Sequence, residues 1–163
     1  DRDRYLRLVD TLRAAVPDLA LGTDVIVGFP GETEGDFAET LEVVEVARFD
    51  SAFTFIFSPR AGTEAASMTD QVPDEVKHER LERLVELTQR IAAERNVERI
   101  GRVEEVLVEG SSRTDDALLR GRTRRNTMVN FAGSAATGNL VMVVIDEATS
   151  TTLRGRQASL VAA

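Results

Sequence analysis

Cysteine and tryptophan are absent from the 163 residues, and tyrosine and histidine occur once each. Without cysteine the chain has no disulfide framework, no thiolate zinc site and no cysteine-held iron–sulfur cluster of its own. No apolar run approaches the roughly 20 residues that span a bilayer, so no membrane helix is expected. No charged-then-apolar leader opens the sequence, which makes the cytoplasm the expected location. An apolar content of 42% is ordinary for a globular chain and argues against wholesale disorder. The first residue is Asp1 rather than Met, in the middle of a helical pattern, and the expectation is a piece of a longer protein.

The net charge of −8 is unevenly spread. Residues 1–97 carry 11 basic and 20 acidic side chains, whereas residues 98–163 carry 9 and 8. Within 117–131, Arg120, Arg122, Arg124 and Arg125 occur with no acid among them. Screening limits distant charges to about 10 Å, so such a patch attracts nucleic-acid phosphate despite the acidic total. A solvated strand face is the alternative.

Patterning also divides the chain. Tyr5, Leu8, Val9, Leu12 and Val16 recur at helical spacing and stop before Pro17, predicting a helix over 2–16. Leu21 to Phe29 is almost continuously apolar, as in a strand covered on both faces. Phe29-Pro30-Gly31-Glu32 has the chemistry of a type II turn, and Thr33 with Asp36 forms an N-cap box for a helix over 34–47. Ala52 to Phe57 predicts a second buried strand, 58–71 an irregular loop, and Pro73 to about Ile100 one long helix. After Gly101 the period becomes two. Strands are predicted at 103–108, 117–123, 127–131, 140–145 and 148–154, enough for a small β-barrel of the kind that presents its strands to oligonucleotides. Two domains follow, 1–97 of βα grammar with the long helix and 98–163 of barrel grammar.

Ligands of βα folds gather at the C-terminal ends of strands, which directs attention to 28–33 and 58–63. Gly28 and Gly31 would admit a ligand to the backbone, and the helix start at Thr33 would receive an anion; a turn and a capped helix explain the same residues by folding. Asp24, within an apolar strand, needs a partner if buried. Glu32 and Glu64 lack any partner that spacing would name as a general-base pair, and His78 lies among charged residues where solvent exposure is expected. Phe131, the one aromatic residue beyond Phe57, is either core or a stacking face for a base.

The strings TDVIVGFPGET (23–33), FDSAFTFIFSPRAGT (49–63), VPDEVKHERLERL (72–84) and VLVEG (106–110) resemble the radical S-adenosylmethionine methylthiotransferases. GRTRRNTMVNF (121–131) and LRG (153–155) resemble the TRAM domain that closes those chains. The resemblance implies a fold of mixed α/β and all-β parts: the last βα units of a partial TIM-like radical barrel, a long linking helix and a five-stranded TRAM barrel. It implies a C-terminal portion of a tRNA-modifying enzyme that adds a methylthio group to C2 of isopentenyladenosine beside the anticodon. The ribosomal-protein aspartate methylthiotransferases are the second subfamily, and a non-catalytic RNA-binding module is the alternative for which helix and barrel suffice. S-adenosylmethionine and two [4Fe–4S] clusters are the implied cofactors, with every cluster ligand outside this Cys-free chain, which by itself would be inactive. The implied partners are the tRNA anticodon stem-loop and the upstream methylthiotransferase and radical regions. A barrel cut at this point would expose strand edges and favour dimerisation.

Residue by residue, the resemblance assigns cofactor contacts to Asp24, Ile26, Gly28, Gly31, Glu32, Ser58 and Arg60. Against the general radical pattern G-x-I-x-G-x-x-E, Ile26 and Gly28 match, Asp24 replaces the first Gly and Glu32 falls one place late. In the TRAM match, Arg122, Arg124, Arg125, Asn126 and Arg154 would hold RNA phosphates, with Phe131 as the stacking candidate.

Overall fold

The computed structural model describes residues 1–113 and 115–158, and the chain divides into two compact units, Asp1–Ile91 and Ala92–Ala163. The first contains α1 (Arg2–Ala15), β1 (Gly22–Val27), α2 (Glu34–Ala47), β2 (Ser51–Ile56), the short α3 (Glu64–Ser67) and most of α4 (Asp74–Val97). β1 and β2 pair in parallel, with Asp24 opposite Phe53 and Ile26 opposite Phe55. Val9, Val27, Phe37, Val44, Ala47, Phe49, Leu84 and Ile91 form one core between the helices and a single face of this sheet.

The expectation of strands covered on both faces is overturned. Burial alternates along both strands, and Asp24, Ile26, Phe53 and Phe55 share an open face on which Phe53 is 67% exposed. Hydrophobicity reports what a strand tolerates against any apolar cover, whether or not that cover lies in the same stretch of chain. Among the described residues, β1 and β2 each pair only with the other, so both outer edges are unpaired.

The turn and cap behave as their chemistry dictates. Glu32 N donates to Phe29 O at 2.9 Å while Gly31 adopts the positive φ, 81°, that a type II turn requires. Thr33 Oγ1 accepts from Asp36 N at 3.2 Å, and Thr33 N donates back to Asp36 Oδ2 at 2.8 Å. This reciprocal pairing satisfies two donors of the helix start, so Thr33→Ala should cost about 1 kcal/mol in urea unfolding. Hydrogen bonds from Thr33 hold the Asp36 carboxyl below the usual carboxylate range, and the hydrogen bond from Arg83 does the same for Glu34. Because the folded values are depressed, their contribution is present above about pH 4 and is lost as pH falls through the folded values. Thr33→Ala should therefore unfold with a shallower acid dependence than the parent chain. An unchanged acid slope would show that Thr33 does not control Asp36.

The second unit takes the last turns of α4 together with β3 (Val103–Ser111), β4 (Leu119–Thr123), β5 (Met128–Ala132), β6 (Leu140–Ala148) and β7 (Thr152–Gln157). The strands close in the order β3-β4-β5-β7-β6, with β5 and β7 parallel and the remaining pairs antiparallel. Val106, Val108, Val129, Phe131, Val143, Ile145 and Leu153 fill the interior from alternating positions of β3, β5, β6 and β7, with Leu119 of β4 packed against them. The boundary between the units falls inside α4 rather than after residue 97, because the helix end is bound to the barrel: Asn96 Nδ2 donates to Thr149 O at 2.8 Å. Arg99 and Glu104, both nearly buried, pair at 2.6 Å. No helix among the described residues is long and apolar enough to cross a membrane.

Candidate functional site

The C-terminal ends of β1 and β2 bring together part of the predicted set. Asp24 and Ile26 stand on the open sheet face, and Ser58 and Arg60 are exposed in the loop after β2. Phe29 and Phe57, which follow the two strands, meet edge to face with centroids 5.1 Å apart.

Glu32 plays a different part from the one predicted. Its carboxylate accepts from Gly28 N at 3.0 and 3.1 Å and from Arg80 Nη1 at 2.7 Å, with the two side chains only 12% and 5% exposed. Arg80 Nη1 also donates to Glu32 O at 3.1 Å, and its guanidinium lies 5.6 Å from the Phe37 ring centroid. The carboxylate is thus consumed in tying the loop to α4, and it is not free as a base or a ligand. The glycines are likewise explained by protein contacts. A Cβ at Gly28 would come within 2.4 Å of Lys77 Cγ, and one at Gly31 within 2.6 Å of Asp70 Oδ2, so protein side chains occupy the space imagined for a ligand. The expected anion site at the start of α2 is filled by the Thr33–Asp36 box and flanked by Glu34. Asp24 needs no buried partner, because the open face leaves it in contact with solvent.

Sequence reasoning missed Arg80 and Lys77. Both are buried, and both come from α4, far from the loop in sequence. A charged stretch such as KHERLER reads as a solvated helix face, and no local signal says which of its cations turns inward. His78 is exposed, as expected, with Nδ1 2.7 Å from Asp74 O.

On the barrel, the predicted RNA residues divide. Phe131 is fully buried in the interior cluster and offers no face to a base, because β5 turns Val129 and Phe131 inward and Met128 and Asn130 outward. Arg122 is exposed, but Nε donates to Glu109 at 3.0 Å and Nη1 to Asn126 O and Oδ1 at 3.1 Å each, stapling the turn between β4 and β5. Asn126 holds that turn with φ of 62°, a left-handed conformation that Asn tolerates. Arg124 is 80% exposed, 3.8 Å from Glu105, and Arg154 lies 3.9 Å from Asp115. No group of three or more His, Cys, Asp or Glu side chains able to hold a metal occurs among the described residues.

A closed five-stranded barrel with an arginine-bearing outer face defines the class of the second unit. Residues 97–157 match the family model of the TRAM domain, and this unit is a TRAM domain. Across both units the chain is 52% identical over 155 residues to the tRNA-2-methylthio-N(6)-dimethylallyladenosine synthase of Thermoanaerobacter sp. (strain X514), covering 94% of the chain and 33% of the relative. It is 51% identical over 158 residues to the Clostridium botulinum (strain Okra / Type B1) protein of the same name, covering 96% and 35%. Its homology to these synthases extends over nearly its whole length, and the chain spans about a third of the curated relatives it matches.

Proposed function

We propose that the chain is the C-terminal portion of a radical methylthiotransferase that places a methylthio group on C2 of isopentenyladenosine beside the tRNA anticodon. The observation that carries this reading is identity of about one half running through both units, to proteins of which the chain covers only a third. The one-sided sheet supports it. Upstream βα units pairing with the free strand edges would turn Asp24, Ile26, Phe53 and Phe55 into inward-facing residues of a barrel, whose interior is built from alternate positions. Without them, the same surfaces are open to a second copy of the chain. A self-standing RNA-binding module leaves this apolar face without a purpose.

An iron–sulfur cluster does not fit this chain, which supplies no thiolate, and its ligands belong to the upstream portion in our reading. S-adenosylmethionine fits at the margin. Asp24 and Ile26 on the open face, with Ser58 and Arg60 at the strand ends, offer a carboxylate for donors, an apolar surface, a hydroxyl and a guanidinium for a carboxylate. Bound there, it would supply the radical precursor and the methyl group. Gly28, Gly31 and Glu32 act behind these contacts by shaping the loop, with Arg80 holding it from α4. The barrel docks the anticodon stem-loop, with Arg122, Arg124, Arg125, Asn126 and Arg154 on the phosphate side.

Fused to the cysteine-bearing upstream portion of the Thermoanaerobacter relative, the chain should methylthiolate isopentenyladenosine in tRNA, detected by mass spectrometry of digested nucleosides. The chain by itself should give no product. A folded, cluster-loaded fusion that leaves tRNA unmodified would overturn the proposal, and one that instead modified a ribosomal protein would favour the second subfamily.

A further inference from the structure

The strand register places Arg120, Asn130 and Arg154 in one line across β4, β5 and β7: Arg120 pairs opposite Asn130, and Asn130 opposite Arg154. All three stand on the outer face, because Leu119, Gly121 and Thr123, Val129 and Phe131, and Leu153 and Gly155 alternate with them toward the interior. With neighbouring strands about 4.8 Å apart, the line is roughly 10 Å long.

Arg120 is unlike the arginines around it. It is half-buried, its Nε is shielded from solvent with no hydrogen-bond partner, and among the described residues its guanidinium has no carboxylate beside it. Arg122 is engaged by Glu109 and Asn126, and Arg156 by Asp146. Asn130, also half-buried, makes no side-chain hydrogen bond among the described residues. A guanidinium whose Nε is shielded from water without an acceptor is costly unless a ligand completes it, and the Asn130 amide beside it is open to the same ligand. Carboxylates border the line on the β6 side, where Glu147 is opposite Arg154 in register and Asp146 holds Arg156, so a polyanion is directed toward β4 and β5. Asp115, from the segment before β4, lies 3.9 Å from Arg154 and gives way to a phosphate held there.

We infer that Arg120, Asn130 and Arg154 form the centre of the RNA-binding surface, the two arginines each holding a phosphate and the Asn130 amide reading the edge of an unstacked loop base between them. The inference rests on the docking reading above and refines it, since neither Arg120 nor Asn130 is among the residues that the motif resemblance assigns. An amide has both a donor and an acceptor and can discriminate base edges, whereas arginine–phosphate contacts supply affinity and register.

The test is fluorescence-anisotropy titration of the full chain with an anticodon stem-loop RNA across a salt series, for the parent, Arg120→Ala, Asn130→Ala and the control Arg102→Ala, an exposed arginine outside the line. Arg120→Ala should weaken binding about tenfold at low salt and make the salt slope shallower by about one unit. Asn130→Ala should leave the salt slope unchanged and reduce discrimination between the cognate loop and one with substituted bases by about tenfold. Thermal melts should match the parent's, because neither side chain has a hydrogen-bond or ion-pair partner to lose among the described residues. If the parent binds and both variants behave like Arg102→Ala, the assignment is wrong while the docking reading stands. If the parent fails to bind at low salt, the docking reading falls and this assignment with it.

Discussion

Arg80→Ala should destabilise the first unit by about 3–5 kcal/mol, as much as truncating a fully buried core side chain such as Phe37. The Arg80–Glu32 pair is nearly sealed, at 5% and 12% side-chain exposure, so removing the cation leaves a carboxylate with little access to water. The loss also releases the loop, because the same carboxylate holds Gly28 N, and it removes one of the two cations over Phe37, leaving Arg83. Urea unfolding followed by circular dichroism measures the effect. The combined change Arg80→Met with Glu32→Gln should recover much of it, since replacing both charges removes the uncompensated one. A loss of less than about 1 kcal/mol for Arg80→Ala would mean that solvent reaches Glu32 and that the pair behaves as a surface salt bridge.

Gly155→Ala should prevent the barrel from closing in its native register. A Cβ at Gly155 would lie 2.1 Å from Val144 O and 3.0 Å from Val143 Cγ1, so the obstacle is the backbone of the paired strand, which has no rotamer to change. Gly121→Ala meets the same obstacle at Leu107 O, 2.3 Å away, where β4 pairs with β3. Overpacking a core usually costs about 1–3 kcal/mol; contact with backbone at these distances should exceed that range and lower the melting temperature of the second unit, measured by calorimetry. Gly35→Ala in α2 is the control. Its Cβ would meet only Thr33 Oγ1 at 3.5 Å, and the gain in helix propensity should raise stability by about 0.4–1 kcal/mol. A Gly155→Ala variant as stable as the parent would show that β6 and β7 can separate without loss of the fold.

The contrast between these glycines and those of the βα loop explains what could be read in advance. Pro30-Gly31 announces a turn through dihedral preferences that belong to the two residues themselves, and Thr33 with Asp36 announces a cap because the partners lie three residues apart. Gly155 announces nothing, because its need for a missing Cβ comes from Val144 across a strand pair that forms only in the folded barrel. Phe131 is equally silent. An aromatic in a strand reads as core or as platform until strand closure decides which face looks inward.

The amino-acid sequence by itself determined the order of helices and strands apart from the short α3, which folds inside the segment 58–71 expected as an irregular loop, together with the change from βα to all-β patterning, the turn and caps, the concentration of arginine in the second part, and a motif resemblance confirmed by relatives at about half identity. These are local or additive properties, written in spacing of a few residues or in composition. The tertiary structure alone decided that the sheet has one bare face, that Glu32 is spent on Arg80, that Phe131 is interior, and that Arg120, Asn130 and Arg154 fall in line. Each of these depends on which residues distant in sequence come within a few ångströms, and burial and electrostatic pairing act at that range only after the chain has closed.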